Sequence, residues 1–100
     1  MIHVVNKRDF RGNGIYVGRP SVLGNPYVIG KDGNRDEVIE KYRKWLWAKY
    51  KEKGKVYDEL MRLCDIARKR DLVLMCWCKP KACHGDVIKR CVEWMIKRQD

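Results

Sequence analysis

Three cysteines fall within the eight residues 76–83, and a histidine follows the last of them: Cys76-Trp77-Cys78-Lys79-Pro80-Lys81-Ala82-Cys83-His84-Gly85-Asp86. Thiols and an imidazole at this density suit two kinds of chemistry. As metal ligands, Cys76, Cys78, Cys83 and His84 form a donor set for zinc or for iron, including an iron–sulfur centre, though the spacing is that of neither a zinc finger nor a ferredoxin. As a thiol site, Cys83 or Cys78 is the nucleophile and His84 its base or hydrogen-bond partner, the catalytic roles of Cys83 and His84 applying only if the protein is an enzyme. A third reading needs no chemistry: buried thiols fill the end of a strand and His84 caps a helix. A helix N-terminus together with Lys79, Lys81 and Lys89 predicts a lowered pKa for the Cys83 thiol.

A second stretch, Gly18-Arg19-Pro20-Ser21-Val22-Leu23-Gly24-Asn25-Pro26-Tyr27, combines a guanidinium fork, a hydroxyl, an amide and glycines that let a ligand approach the backbone. Gly18, Arg19, Ser21, Gly24 and Asn25 are therefore candidates for binding a phosphate or the edge of a base. The stretch is neither a Walker loop nor a dinucleotide fingerprint, because the glycine spacings fail. A pair of tight turns is the competing explanation.

The elements that must position these residues follow from periodicity. Residues 2–6 and 15–17 read as strands, and residues 18–33 are too rich in glycine and proline for anything beyond a short element at 27–29. Asn34 and Glu37 form a capping box that opens a helix, with Val38, Ile39, Tyr42, Trp45 and Leu46 as its apolar stripe and Gly54 as its end. A second helix over 56–70 places Val56, Leu60, Leu63, Cys64 and Ala67 on one face, so Cys64 is a core thiol. Residues 72–78 are apolar without a break and predict a central strand buried on both faces. A last helix over 85–97 turns Ile88, Cys91, Val92 and Met95 inward. The expected fold is α/β: a single domain over 1–100 with a sheet of three to four strands packed by three helices, Rossmann-like or flavodoxin-like in character.

Composition narrows the partners. Twenty-three Lys and Arg against thirteen Asp and Glu leave a net charge of +10 on 100 residues, which suits an anionic partner, a nucleotide or a nucleic acid. A thermophile-type surface, rich in Lys and Glu and poor in Gln, explains the same balance without any partner. The longest apolar run has seven residues, against roughly 20 for a membrane span. Without a secretory h-region, the expectation is a cytoplasmic protein with no membrane partner. Of the four tryptophans, Trp45 and Trp77 fall on buried positions, which leaves Trp47 and Trp94 to reach solvent as a stacking platform. His3, a lone histidine in a strand, carries no assigned role.

Three segments in this order resemble the domain-of-unknown-function family numbered four-three-two-six: Ile15-Tyr16-Val17-Gly18-Arg19-x-Ser21-x-x-Gly24-Asn25-Pro26-Tyr27, then Arg35 with Tyr42-Arg43-x-Trp45-Leu46, and finally Cys76-Trp77-Cys78-x-Pro80-x-x-Cys83-His84-Gly85-Asp86-Val87-Ile88. The family is found in bacteria, archaea and their viruses, and it brings no activity with it. Its motif adds Asp86 to the candidate ligand-binding residues. A fainter similarity, to a family with Cys-x-Glu before a Cys-His-Arg turn, shares only Cys76, Cys83 and His84. The resemblance locates a site without naming its chemistry; the residues themselves suggest that the loop over 18–26 and the turn over 76–86 face one another in one cleft, with an anionic ligand beside a metal or a thiolate.

Overall fold

The computed structural model describes residues 1–98. Strand β1 (Ile2–Asn6), strand β2 (Ile15–Tyr16), helix α1 (Arg35–Glu52), helix α2 (Lys55–Lys69), strand β3 (Leu72–Cys76) and helix α3 (His84–Arg98) follow in that order. The three strands form one parallel sheet in the order β1-β3-β2. This is the small α/β domain expected, with β3 central, three strands and three helices.

Two elements differ from expectation for identifiable reasons. Burial along β3 alternates, Leu72, Leu74 and Cys76 being buried and Val73 and Met75 only half-buried. One face of the strand is therefore buried and the other partly open; α2 and α3 both pack on β3, and all three helices pack against one another. The strand also stops at Cys76 rather than Cys78. Asn6, buried at the end of β1, donates from Nδ2 to the carbonyls of Trp77 (3.1 Å) and Lys79 (2.9 Å). Its Oδ1 accepts from the Arg8 N–H. A side chain distant in sequence thus occupies carbonyls that a continuing ladder would need. Trp77, expected to be buried, is 53% exposed as a result.

Helix α1 starts at the expected capping box: the Asn34 side chain accepts from the Glu37 N–H, and the Glu37 carboxylate accepts from the Asn34 N–H. It ends with Lys53 in the left-handed conformation (φ 59°), while Gly54, expected to close it, instead precedes α2. The stripe expected to face the core divides. Val38, Tyr42 and Leu46 are buried, Trp45 packs partly buried against the core, and Ile39 turns to a cleft described below. No helix or strand forms between Val17 and Asn34.

Gly85 fixes how closely α3 approaches the sheet. A Cβ there would lie 2.8 Å from Val4 Cγ1 and 3.2 Å from Cys83 Sγ. Val4 is β-branched and cannot swing aside easily. Gly85→Ala gains at most about 1 kcal/mol of helix propensity and loses about 1–3 kcal/mol to overpacking, so a net destabilisation is expected in the urea midpoint. Combined with Val4→Ala, it should cost less than the sum of the two single changes, since the second opens the space that the first fills.

Candidate functional site

The 18–26 loop and the 76–86 turn meet at the C-terminal ends of the strands, where ligands bind in open parallel sheets. Two buried hydrogen bonds place the loop. His84 Nε2 lies 2.6 Å from the Val17 carbonyl, and Tyr42 donates its hydroxyl to the Leu23 carbonyl at 2.7 Å. Tyr42 and His84 also meet edge to face, with ring centroids 5.0 Å apart. Within the loop, the Ser21 N–H bonds the Gly18 carbonyl and the Gly24 N–H bonds the Ser21 carbonyl, while Asn25 Oδ1 accepts from the Tyr27 N–H. At Gly24 a Cβ would stand about 3.0 Å from the Arg19 Cα, so these turns fold back on Arg19 only with glycine there.

Between loop and turn lies a cleft of about 530 Å³. Of the expected ligand-binding residues, Gly18, Arg19 and Asn25 line it, whereas Ser21, Gly24 and Asp86 do not. Ser21 and Gly24 shape the loop. Asp86 pairs with Lys79 and accepts from the Cys83 N–H, closing the first turn of α3. Cys78, Cys83 and His84 line the cleft, and Cys76 sits behind them.

Residues that the spacing did not single out complete the walls: Tyr16, Tyr27, Trp77, and Arg35 from the first turn of α1. Trp77 Nε1 donates to the Tyr16 hydroxyl (3.0 Å), which donates to the Arg19 carbonyl (2.9 Å). Lys7 Nζ stands 4.8 Å from the Tyr16 ring centre and 5.6 Å from that of Trp77. Arg35 Nη1 bonds the Ala82 carbonyl at 2.9 Å, which ties α1 to the turn before α3. Arg35 belonged to the family motif, and that was the signal that could have marked it.

The thiols are arranged as a pair. Cys83 Sγ donates to Cys76 Sγ at 3.1 Å, and the Gly85 N–H donates to Cys83 Sγ at 3.2 Å. All five cysteines are free. The hydrogen bond from Cys83, helped by the backbone N–H groups of Cys78 and Lys79 and by the Lys79 charge, brings the Cys76 pKa down to about 6. Cys83 moves the other way, well above the ordinary thiol value, because it is the donor in that bond, is buried, and faces the Cys76 charge. The direction of the hydrogen bond from Cys83 favours the charge on Cys76, against the lowered pKa expected for Cys83. Burial lowers the His84 pKa, so the neutral ring donates Nε2–H to the Val17 carbonyl; Nε2 is engaged by the backbone and not by a thiol.

The four expected metal ligands do not converge. Cys76 and Cys83 share a proton, His84 Nε2 is committed to Val17, and Cys78 lies beyond the strand end on the cleft wall. Among the described residues, no group of three or more His, Cys, Asp or Glu is placed to hold a metal ion. This arrangement does not fit a zinc ion or an iron–sulfur cluster. No described helix is long and apolar enough to cross a membrane.

A family model described as "Domain of unknown function (DUF4326)" matches residues 2–94. An Enterobacteria phage T4 protein, described as an uncharacterized 12.4 kDa protein in the nrdA-td intergenic region, is 35% identical over 100 residues, which covers 97% of this chain and 82% of that protein. No solved structure matches the chain.

The titrations set a pH profile for stability. Between pH 6 and 9 the folded chain holds Cys76 deprotonated while the unfolded chain holds it protonated, so stability rises with pH across that window and is lost as pH falls through about 6. His84 adds to the loss below its ordinary value of 6.5, because only the unfolded imidazole takes up a proton there. Above the ordinary thiol value of 9.0, Cys83 ionises only in the unfolded chain, and stability falls again. Urea midpoints under reducing conditions should follow this rise and fall, and Cys76→Ser should flatten the rise between pH 6 and 9.

Proposed function

We propose that this chain, which belongs to the DUF4326 family of domains of unknown function, holds a nucleotide-type ligand in the cleft between the 18–26 loop and the 76–86 turn. One observation carries the reading: the cleft is lined by two arginines and three aromatic rings, with no acidic side chain among its lining residues. A phosphate attracts guanidinium forks. The positive end of the α3 dipole, beside Cys83 and His84, favours negative charge in the same place. Trp77, Tyr16 and Tyr27 offer ring faces to a base, and Val28, Ile29 and Ile39 supply the apolar wall that small-molecule sites ordinarily have.

A second reading, that the cleft acts on its ligand through a thiol, is favoured by the sulfur pair. Cys83 lines the cleft and lies 3.1 Å from Cys76, which ionises near neutral pH. In such a step Cys83 Sγ attacks an electrophile, its proton passes to the Cys76 thiolate, and the leaving group departs with the electron pair of the broken bond. His84 then holds the loop in place and is not the base.

Titration calorimetry with adenosine monophosphate, inorganic phosphate and adenosine tests the first reading. The nucleotide should bind more tightly than either part, and Arg19→Ala should weaken it about tenfold or more, the value of a charge-assisted hydrogen bond. Equal affinity for nucleotide and nucleoside, unchanged by Arg19→Ala, would contradict it. The second reading is tested by timed iodoacetamide labelling with peptide mass spectrometry: Cys83 should react faster than Cys64 or Cys91, and Cys76→Ser should slow it. Labelling of all three at one slow rate would rule the thiol out.

A further inference from the structure

A second site lies along the same two helices. Trp47 and Tyr50 of α1 stack with centroids 5.5 Å apart and ring planes within 8°. Trp94 of α3 stands edge-on to both, at 5.6 and 5.5 Å, and Tyr57 of α2 abuts Tyr50 at 5.4 Å. These rings are not sealed into the core: Trp47 is 47% exposed and Trp94 is 37% exposed. A groove of about 500 Å³ runs beside them between α1 and α3, with Arg43 and Arg90 on its walls and no acidic residue lining it.

Cations cover the rings. Lys51 Nζ lies 5.5 Å from the Trp47 ring centre, Lys53 Nζ lies 4.6 Å from that of Tyr57 and 5.2 Å from that of Tyr50, and the Arg98 guanidinium lies 4.8 Å from that of Trp94. Arg43 is paired with Glu40, so the positive field of the patch comes from the lysines, Arg90 and Arg98. Protein–protein interfaces have apolar centres depleted in lysine. Rings interleaved with lysines match instead the two features that hold a single strand: aromatic faces, from which flexible lysine stems can swing aside for successive bases, and charges for the phosphates between them.

We infer that the Trp47–Tyr50–Trp94 platform is a binding site for single-stranded nucleic acid. It is separate from the nucleotide cleft and shares no lining residue with it. His84 and Val38 border the cleft, and Trp94 and Trp47 follow them on the same helices at about 14–15 Å, from a rise of about 1.5 Å per residue. A duplex does not fit, because its bases are already stacked on one another and present no faces to the tryptophans.

The test is fluorescence anisotropy with an end-labelled oligothymidylate of about 15 nucleotides, titrated at several salt concentrations. The full chain should bind the strand with quenching of tryptophan emission and with affinity that falls steeply as salt rises. Trp47→Ala with Trp94→Ala should weaken binding about tenfold or more per tryptophan, while circular dichroism and adenosine monophosphate affinity stay as in the parent. Trp47→Phe with Trp94→Phe should retain most of the affinity, because a ring face remains. Lys51→Ala with Lys53→Ala should reduce the salt slope. Arg19→Ala, which belongs to the cleft, should leave platform binding within a few-fold, so the two sites can fail independently. Unchanged strand affinity in the alanine double variant would overturn the inference. So would equal binding of a duplex, or a stable dimer in sedimentation that Trp47→Ala dissolves.

Discussion

Two buried hydrogen bonds from side chains to loop carbonyls hold the candidate site together: His84 Nε2–H to Val17 and the Tyr42 hydroxyl to Leu23. The segment between Val17 and Asn34 has no ladder or helix of its own; its tight turns satisfy some of its backbone groups internally, but the carbonyls of Val17 and Leu23 depend on donors brought from α3 and α1. A buried carbonyl left without its donor costs about 1–3 kcal/mol, and here the same two donors also meet ring to ring. Helices α1 and α3 thus do more than cover the sheet. Each carries one end of the clamp that keeps Arg19 and Asn25 beside Cys83, and the neutral state of His84 is part of that clamp.

The sulfur pair and the cleft share a cause in the local backbone. Helix α3 can begin where it does because Gly85 lets the chain pass against Val4, and this places Cys83 with its Sγ accepting from the Gly85 N–H. Asn6 ends β3 at Cys76 and so sends Trp77 outward to the cleft, while the sulfur of Cys76 stays inside. One residue of difference in strand length decides which of two adjacent side chains is wall and which is thiolate.

Much of the fold was legible in local patterns. The capping box at Asn34, the spacing of Val38, Tyr42 and Leu46, and the face carrying Leu60, Leu63 and Cys64 all depend on neighbours within a turn or two. The exposure of Trp47 and Trp94 was legible in the same way. The end of β3 was not, because an unbroken apolar run over 72–78 gives no sign that Asn6, some seventy residues away, takes the carbonyls beyond Cys76. The site divided similarly. The 18–26 loop and the 76–86 turn were seen as partners, yet which thiol carries charge depended on hydrogen bonds that spacing does not show. Arg35 escaped a role because a charged residue in the first turn of a helix ordinarily faces water.

One cleft, edged by Arg19, Arg35 and the start of α3 and walled by Trp77 and Tyr27, is the proposed seat of a nucleotide's phosphate and base. Backbone amide chemical shifts followed during addition of adenosine monophosphate test this most directly, because they report place as well as binding. The largest shifts are expected to cluster at Gly18, Arg19, Cys83 and His84, with the Trp77 indole N–H moving alongside them. Shifts spread evenly over the lysine-rich faces, or confined to residues far from both the loop and the turn, would contradict it.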